Sequence, residues 1–406
     1  MRSRPLYLNA WTELSGEKSM VFMAGPRQAG KTTLCRQIMG SFTNSLYFNW
    51  DIPQDRMRLI EDPAFFEHIE RKDGSVPLVV FDEIHKYKDW KNYLKGSYDQ
   101  YHGIFQFLVS GSGRLDIYQK GGDSLAGRYF LFHLWPFTVA ELAGRNIPHD
   151  LFMKDPLRIE MEKSEDTREI WSSMAELSGF PEPFLSGRKT TYRRWSSAYS
   201  QQLIREDIRD LTGIKAIGDV ETLYHLIPTK VGSPISVSSL SQDLKVSYNT
   251  VRSWLSTLER FFMVFSISTW TRRVARAIQK EHKVYLWDVP LVKAPAARFE
   301  NRVACELFRS ITLWNDMGYG RFSLHFIKNK EQEEVDFLIA NENKPVVLVE
   351  AKFSEVQPSR ALVKFQKALK VPAVQLVEEA EGFRRLSNGD QKMLVAPACQ
   401  WLAGLP

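Results

Sequence analysis

Cysteine is scarce in this chain. Only Cys35, Cys305 and Cys399 occur among its 406 residues, and they lie far apart in the sequence. Three such thiols make neither the paired framework of a disulfide-stapled domain nor the close spacing of a metal-binding cysteine motif. The sequence therefore excludes both of these classes, and it predicts a reducing, cytoplasmic setting.

Long apolar runs and a large excess of one charge are missing as well. No stretch approaches the roughly 20 apolar residues that cross a bilayer, and residues 1–14 lack the apolar core of a signal peptide. We therefore expect no membrane insertion. The 54 Lys and Arg against 48 Asp and Glu give a net charge of +6, which permits an anionic partner but does not identify one.

What is present is the composition of a folded globular protein. Hydrophobic residues make up 44% of the chain and charged residues 25%, close to the averages for soluble domains. Apolar runs at 20–24, 46–50, 77–81, 104–109 and 129–134 predict buried strands separated by crossover helices, and hence a parallel α/β sheet. We predict four domains: an α/β core at 1–135, a helical lid at 136–215, a helix pair with a basic stretch at 216–290, and a second α/β unit at 291–406.

A phosphate-binding motif follows the first predicted strand. It consists of Gly25, Pro26, Arg27, Gln28, Ala29, Gly30, Lys31, Thr32 and Thr33, and fits the pattern G-x-x-x-x-G-K-[ST]. The two glycines let backbone N–H groups approach phosphate oxygens, and the following helix points the positive end of its dipole at them. Lys31 is expected on the β and γ phosphates, Thr32 on Mg²⁺ and Thr33 near the α phosphate.

A pair of carboxylates completes this nucleotide site. The apolar strand that begins near Val76 ends in Asp82 and Glu83. Asp82 is expected to hold Mg²⁺ through water, and Glu83 to polarise the attacking water. The two motifs together predict a site for ATP and Mg²⁺.

Two further polar residues fit the same sheet. Ser110 ends the strand at 104–109 and is placed to sense the γ phosphate; Ser112 is the second choice, and a plain glycine-serine turn is the alternative. Arg128 precedes the strand at 129–134, where an arginine finger that reaches a neighbouring subunit is often carried. A structural or surface arginine is the alternative for Arg128.

With these motifs the chain resembles the prokaryotic AAA+ superfamily ATPases that carry a C-terminal domain of uncharacterised function. The resemblance rests on residues 25–33, 82–87, 110–112, 125–128 and 134–137, and on later landmarks at 179–182, 204–208 and 350–352. It covers nearly the whole chain. It implies a P-loop AAA+ parallel sheet, ATP and Mg²⁺, a helical lid, a winged helix-turn-helix and a restriction-endonuclease-like α/β end. His85 departs from the pattern, because glutamine is commoner there.

The segment 236–262 predicts a DNA-reading helix pair: a short helix at 236–244, a turn, and a second helix at 248–262. The second helix separates an apolar face from a polar one that carries Asn249, Arg252, Ser253, Ser256 and Arg260. A basic stretch that could form a wing follows, with Arg272, Arg273, Arg276, Lys280 and Lys283. The alternative is a helix pair that only braces neighbouring domains.

A second acidic cluster lies in the last predicted domain. An Asp that opens one strand, Asp336, and a Glu-x-Lys that ends the next, Glu350 and Lys352, form the pattern of the PD-(D/E)XK nuclease core. Asp336 and Glu350 are expected to bind Mg²⁺, with Lys352 activating water or stabilising charge on phosphate. Glu300 resembles the acid from the preceding helix, and Gln366 could add a polar contact. A degenerate nuclease fold, retained for binding or packing, is the equal alternative.

These observations predict an ATP-hydrolysing AAA+ ATPase that binds DNA and forms a homo-oligomer. Branched or forked DNA is the substrate that analogy with junction-processing nucleases favours. The alternative is a regulatory NTPase switch that acts on a protein partner in stress or defence signalling, without DNA cleavage.

Overall fold

The computed structural model describes residues 2–111, 125–145, 147–159, 164–271, 281–388 and 391–406. Ser112, Arg272, Arg273, Arg276 and Lys280 lie outside these residues. The chain divides into two compact units, Met1–Pro136 and Phe137–Pro406. Among the described helices, none combines the length and the apolar character that crossing a bilayer requires.

The first unit is built on a five-stranded parallel sheet in the order β2-β3-β4-β1-β5. Its strands are β1 (Met20–Ala24), β2 (Ser45–Asn49), β3 (Leu78–Asp82), β4 (Gln106–Ser110) and β5 (Phe130–His133), and its helices are α1 (Pro5–Glu17), α2 (Lys31–Met39), α3 (Pro53–Glu61) and α4 (Trp90–Tyr101). All five residues of β1 and of β3 are buried. Such continuous apolar strands are typical of a parallel sheet covered on both faces. The predicted α/β sheet is confirmed.

Aromatic side chains fill one side of this sheet. Phe66 packs edge-on against Phe81 and Phe107, and Phe48 packs against both Phe65 and Phe81. Each of these rings is at most 1% exposed. Edge-to-face packing of this kind adds to the free energy of burying apolar area. It makes a rigid base for the carboxyl ends of β3 and β4.

The second unit combines helices with an eight-stranded mixed sheet in the order β12-β13-β11-β10-β9-β8-β6-β7. Its helices are α5 (Val139–Leu142), α6 (His149–Lys154), α7 (Ser164–Leu177), α8 (Pro181–Ser186), α9 (Lys189–Gln201), α10 (Arg209–Thr212), α11 (Ile217–Leu226), α12 (Val237–Asp243), α13 (Tyr248–Arg260), α14 (Pro295–Asp316), α15 (Arg360–Leu369) and α16 (Ala398–Leu402). Its strands are β6 (Val264–Thr269), β7 (His282–Leu286), β8 (Phe322–Lys328), β9 (Glu334–Asn341), β10 (Lys344–Lys352), β11 (Ala373–Val377), β12 (Arg384–Asn388) and β13 (Gln391–Pro397). A π-helix, Gln202–Ile208, connects α9 to α10.

The eight-stranded sheet contains strands from both sides of residue 290, where the sequence predicts a domain boundary. Strands β6 and β7 pair as an antiparallel hairpin, and β6 also pairs in parallel with β8. The hairpin after α13 is therefore part of the same sheet as the predicted nuclease-like end. Its side chains pack into that end: Phe265 stacks against Phe308 of α14, with ring centroids 4.5 Å apart.

The segment predicted as a lid, 136–215, is joined to the C-terminal part of the same unit. The Arg302 guanidinium lies over the Trp171 ring at 3.6 Å, donates to the Trp171 carbonyl and pairs with Glu378 at 2.6 Å. Arg309 donates to the carbonyl of Phe137. Both arginines are under 5% exposed. Because burying a guanidinium is costly without hydrogen-bond acceptors, the contacts of Arg302 with Trp171 and Glu378 hold α7 against α14.

Candidate functional site

The phosphate loop connects β1 to α2, and its shape depends on glycine. Gly30 has φ +98° and Gly25 has φ +149°. A Cβ at Gly25 would overlap the carbonyl oxygen of Leu134. Glycine is required at Gly25 by this neighbouring backbone, in addition to the expected approach of phosphate. The first backbone N–H groups of α2 follow the loop, so the positive end of the helix dipole faces it.

Lys31 is the first residue of α2 and is 7% exposed. Its ammonium donates to the carbonyl oxygens of Gly25 at 3.0 Å and Pro26 at 2.7 Å. Burial lowers the pKa of Lys31, while Glu83 and Asp82 act in the opposite direction. The lysine thus rests on neutral acceptors of the loop where a phosphate would bind.

Asp82 ends β3 and is 2% exposed. Its Oδ2 accepts a hydrogen bond from the Thr32 hydroxyl at 2.8 Å and another from the Tyr47 hydroxyl at 2.7 Å. A carboxylate beside a threonine hydroxyl is a set of hard oxygen donors, which is what Mg²⁺ prefers. The two predicted ligands, Thr32 and Asp82, therefore lie together and fit the ion.

Glu83 follows Asp82 with φ +57°, a left-handed conformation that non-glycine residues rarely adopt. Its Oε2 lies 3.2 Å from the Lys86 ammonium and 3.6 Å from Nε2 of His85. Lys86 also pairs with Asp51 at 2.6 Å. The predicted catalytic glutamate is thus held by a lysine three residues further along the chain, which the sequence analysis did not single out.

Ser110 ends β4 between the loop strand and the acidic strand. It pairs in register with Met23 on one side and Asp82 on the other, and its carbonyl accepts from the N–H of Glu83 at 2.9 Å. The side chain is fully buried. Next to it, burial raises the pKa of the Cys35 thiol well above its usual range, so this cysteine stays protonated.

Arg128 lies just before β5, at the amino end of a strand parallel to β1. The phosphate loop follows the carboxyl end of β1, whereas Arg128 precedes the amino end of β5. Arg128 therefore lies at the opposite end of the parallel strands from the phosphate loop of its own chain. Its guanidinium forms a bidentate pair with Asp99, at 2.7 and 3.0 Å. The side-chain hydrogen bond from Arg128 lowers the pKa of Asp99.

Two supports of the nucleotide site were missed by sequence reasoning. Tyr47 on β2 donates to Asp82, but nothing in the sequence distinguishes Tyr47 from the other tyrosines of the chain. Arg4, 4% exposed, donates to the carbonyls of Ala29 at 3.0 Å and Trp135 at 2.8 Å. Its only sequence signal is a charged residue directly before an apolar helix, which is too common to interpret.

The helix pair of the second unit begins and ends close to the predicted residues. The side chains of Ser236 and Ser247 cap α12 and α13 by accepting from N–H groups three residues on. Val251 and Leu258 are buried on one face of α13, whereas three of the predicted DNA-contacting residues are exposed. These exposed residues are Asn249, Arg252 and Arg260.

Lys283 differs from its predicted place in a basic wing. It lies on β7, is 0% exposed, and its ammonium points into the acidic cluster. The prediction of Lys283 as a phosphate contact was therefore wrong, because a fully buried ammonium paired with carboxylates is inaccessible to DNA.

The acidic cluster brings together the four predicted nuclease residues Asp336, Glu350, Lys352 and Glu300. Oδ2 of Asp336 accepts from the N–H of Ala351 at 2.9 Å, and Oε2 of Glu350 accepts from the N–H of Asp336 at 3.4 Å. The Lys352 ammonium lies 2.8 Å from Oε1 of Glu350. Burial and the nearby Asp336 charge raise the pKa of both Glu300 and Glu350.

Gln366 is not part of this cluster's hydrogen bonding. It is buried on α15, and its Nε2 donates to the carbonyl of Val371 at 3.3 Å. Within the described residues, no three His, Cys, Asp or Glu side chains are arranged to hold a metal ion.

Residues 17–143 match the family described as an AAA domain, and residues 168–301 match a domain of unknown function, DUF8612. Uncharacterized proteins of Mycobacterium bovis and Mycobacterium tuberculosis are each 24% identical over 273 residues, which are 67% of this chain and 55% of theirs. This chain therefore spans about half the length of these relatives. An uncharacterized protein of Methanocaldococcus jannaschii is 22% identical over 397 residues, covering 93% of this chain and 86% of its own.

Two solved structures are also similar. The Walker-type ATPase of Pyrococcus abyssi superimposes with a TM-score of 0.46 at 14% identity, over 72% of this chain and 95% of that chain. The structure of Drosophila ORC bound to DNA gives a TM-score of 0.30 at 14% identity, over 70% of this chain and 92% of that chain. The AAA domain match includes the phosphate loop, Thr32, Asp82 and Glu83. Residues 17–143 thus match an AAA domain, and this stretch contains the phosphate loop and the acidic strand end described above.

Proposed function

We propose that this protein is an ATP-hydrolysing, DNA-binding AAA+ ATPase in which the nucleotide state controls engagement with DNA. One observation carries the ATPase half of the proposal. The hydroxyl of Thr32 and the carboxylate of Asp82 meet at 2.8 Å beside a lysine-bearing phosphate loop, with Glu83 next in the chain. These groups are of the kinds that phosphoryl transfer to water needs, and their proximity supports the proposal.

For hydrolysis, Thr32 and Asp82 would hold Mg²⁺, which screens the charge on the β and γ phosphates when bound. Lys31 exchanges its carbonyl acceptors for phosphate oxygens, at the cost of two hydrogen bonds to neutral groups. Glu83 orients the attacking water and accepts its proton. To do so its carboxylate must turn away from Lys86, which retains Asp51 as a partner.

The DNA half of the proposal is supported by α13. Its apolar face is buried, and its exposed face offers Asn249, Arg252 and Arg260 to base edges and phosphates. The basic residues Arg272, Arg273 and Arg276 follow in the sequence. We propose branched or forked DNA as the substrate, on the weaker ground of analogy with nuclease folds.

We also propose assembly into a homo-oligomer, and the position of Arg128 supports it. This arginine lies at the amino end of the parallel strands, away from the phosphate loop of its own chain. It would therefore act on the nucleotide of a neighbouring subunit, after its ion pair with Asp99 has opened. We expect ATPase activity per subunit to rise with protein concentration. Arg128→Ala should lose turnover and retain ATP binding, measured by fluorescent-nucleotide titration. Activity that is independent of concentration in a monomer would exclude this role.

The test of the whole proposal is ATP hydrolysis by wild type and Glu83→Gln, with and without single-stranded, duplex, forked and four-way DNA. Stimulation by one DNA form that disappears in Glu83→Gln supports a DNA-linked ATPase. DNA affinity should fall steeply with salt. It should also fall in the double variant Arg252→Gln/Arg260→Gln, but not in the matched control Arg193→Gln/Arg194→Gln, which removes two exposed charges from α9.

A second candidate is a regulatory NTPase switch that acts on a protein partner in stress or defence signalling. The sheet of the second unit supports it, because the hairpin that follows α13 pairs with β8 and could make the helix pair a structural joint. Hydrolysis that no DNA alters, together with undetectable DNA binding at low salt, would favour this function.

A further inference from the structure

Lys283 lies inside the acidic cluster of the second unit. It is fully buried on β7, and its ammonium is 2.6 Å from Oε1 of Glu334, 3.0 Å from Oε1 of Glu300 and 3.6 Å from Oδ1 of Asp336. These carboxylates come from different elements, since Glu300 is on α14 and the other two are on β9. One cation therefore binds acids from two elements at their meeting point.

Both carboxylate oxygens of Asp336 and of Glu350, the two predicted metal ligands, already have partners, and so does one oxygen of Glu300. Oε1 of Glu300 accepts from Lys283 and from the Tyr285 hydroxyl at 2.8 Å. Oδ1 of Asp336 faces Lys283, and its Oδ2 accepts from a backbone N–H. The two oxygens of Glu350 are used in the same way, one by Lys352 and the other by a backbone N–H.

A magnesium ion does not fit this arrangement. Mg²⁺ demands near-octahedral oxygen ligands at about 2.0–2.1 Å, so it would have to share the cluster with an ammonium that donates to Glu300 at 3.0 Å and lies 3.6 Å from Asp336. A magnesium ion and an ammonium that share carboxylates in a buried site repel each other strongly. The geometry thus disagrees with the metal site that the sequence pattern predicts for Asp336 and Glu350.

We infer that Lys283 is the resident cation of the acidic cluster and excludes the divalent metal that a nuclease of this pattern would need. The second unit then lacks the metal that this pattern of residues uses to cut DNA.

The position of Lys283 gives the ammonium a second effect. Strand β7 is at the edge of the sheet and pairs with β6 alone among the described strands. The ion pairs of Lys283 fasten this edge strand to α14 and β9, and with it the hairpin that follows α13. The inference does not depend on ATP hydrolysis.

Binding of Mn²⁺ to the full-length protein tests this inference, with free Mn²⁺ measured by electron paramagnetic resonance in the absence of nucleotide. Every protein in the test carries Asp82→Asn, which removes the predicted metal ligand of the phosphate loop. With Lys283 present we expect no Mn²⁺ site that depends on Asp336. Lys283→Met should create one Mn²⁺ site per chain, and adding Asp336→Asn should abolish that site.

Lys352→Met is the matched control, because it removes the other lysine of the cluster but leaves Lys283 in place. It should create no Mn²⁺ site. Mn²⁺ bound by the Lys283 protein and lost in its Asp336→Asn form would overturn the inference, as would a folded Lys283→Met protein that binds none. Should Lys283→Met fail to fold, judged by circular dichroism, the comparison of the Lys283 protein with its Asp336→Asn form still decides between these outcomes.

Discussion

The two sheets of this protein each bring carboxylates close to a buried lysine, but the two lysines have different acceptors. In the first unit Lys31 donates to the backbone carbonyls of Gly25 and Pro26, and Asp82 is bound by hydroxyl groups. In the second unit Lys283 lies directly among the carboxylates. The first arrangement keeps the carboxylate of Asp82 accessible to a metal ion. In the second arrangement the ammonium of Lys283 takes the position that a metal ion would need.

This difference shows why a motif alone does not establish a metal site. Each hydrogen bond from an ammonium to a neutral carbonyl contributes about 1.5–3 kcal/mol, and an anionic phosphate oxygen would offer the Lys31 ammonium a stronger, charge-assisted bond in exchange. A phosphate can therefore replace the acceptors of Lys31. Removing one partner of a buried ion pair costs about 3–5 kcal/mol, so the ammonium of Lys283 stays in place.

The largest effect is expected from Glu83→Gln, which tests whether the first acidic strand end is catalytic. The amide cannot accept a proton from water, so the ATPase rate should fall roughly 10²- to 10⁴-fold while ATP binding is retained. Steady-state phosphate release and nucleotide titration measure the two quantities. The exposed Glu61→Gln, on α3 of the same unit, is the control and should leave both unchanged. Equal rates for wild type and Glu83→Gln would mean that Glu83 has no catalytic role.

The next effect is on stability and tests whether the second cluster depends on its ammonium. Lys283→Met leaves Glu300, Glu334 and Asp336 without their shared cation, and we expect the free energy of unfolding to fall by about 3–5 kcal/mol. The urea-induced unfolding transition of the second unit measures this change in the free energy of unfolding. Lys352→Met should cost less, because that side chain is 31% exposed. A larger loss for Lys352→Met would reverse the proposed roles of the two lysines.

Asp288 extends the comparison to a buried carboxylate bound by hydroxyl groups. Its Oδ2 accepts from the Ser196 hydroxyl, and burial raises the pKa of Asp288 to about 6, against the hydrogen bonds of Ser196, Tyr192 and Ser178. The folded state therefore binds the proton more tightly than the unfolded state. Stability falls as pH rises from about 4 to about 6, by about 3 kcal/mol at most.

The variant Asp288→Asn has no such titration. Urea denaturation at pH 4.5 and at pH 8 should show a smaller loss of stability with pH for the variant than for wild type. If stability depends on pH in the same way in both proteins, a group other than Asp288 is responsible for the titration.

The smallest effect is expected from Tyr47→Phe, which removes one of the two hydroxyl groups on Asp82. A single hydrogen bond to a charged group contributes about 1.5–3 kcal/mol, and the Thr32 hydroxyl remains. We expect the Mg²⁺ concentration for half-maximal ATPase activity to rise several-fold while maximal turnover changes little. An unchanged Mg²⁺ requirement would show that Tyr47 only packs against β3.

Most of the first unit could be predicted from the sequence, because its signals are local. Five apolar runs separated by helical segments specify buried parallel strands, and both glycines of the phosphate loop have a positive φ, as does Gln28 between them. The strand order and the contact of Gly25 with Leu134 could not be predicted. Both depend on which distant segments lie side by side, and no local pattern records that.

The second unit was less predictable for the same reason. The boundaries of α13 follow from its serine cap and its apolar stripe, yet the pairing of β6 with β8 joins segments more than fifty residues apart. Lys283 is the clearest case. In the sequence it follows four other basic residues and suggests a DNA-binding wing, but four consecutive residues of β7 are buried and Lys283 is one of them. Its burial depends on carboxylates of α14 and β9, which lie far from it in the sequence.

Arg4 links two parts of the first unit that a bound nucleotide would affect differently. One planar guanidinium donates both to Ala29, in the phosphate loop, and to Trp135, next to the end of the unit at Pro136. If a phosphate displaces Ala29, the guanidinium must either lose a hydrogen bond or pull Trp135 with it. Arg4 would therefore transmit a displacement of the phosphate loop to Trp135, the residue before the last one of the first unit.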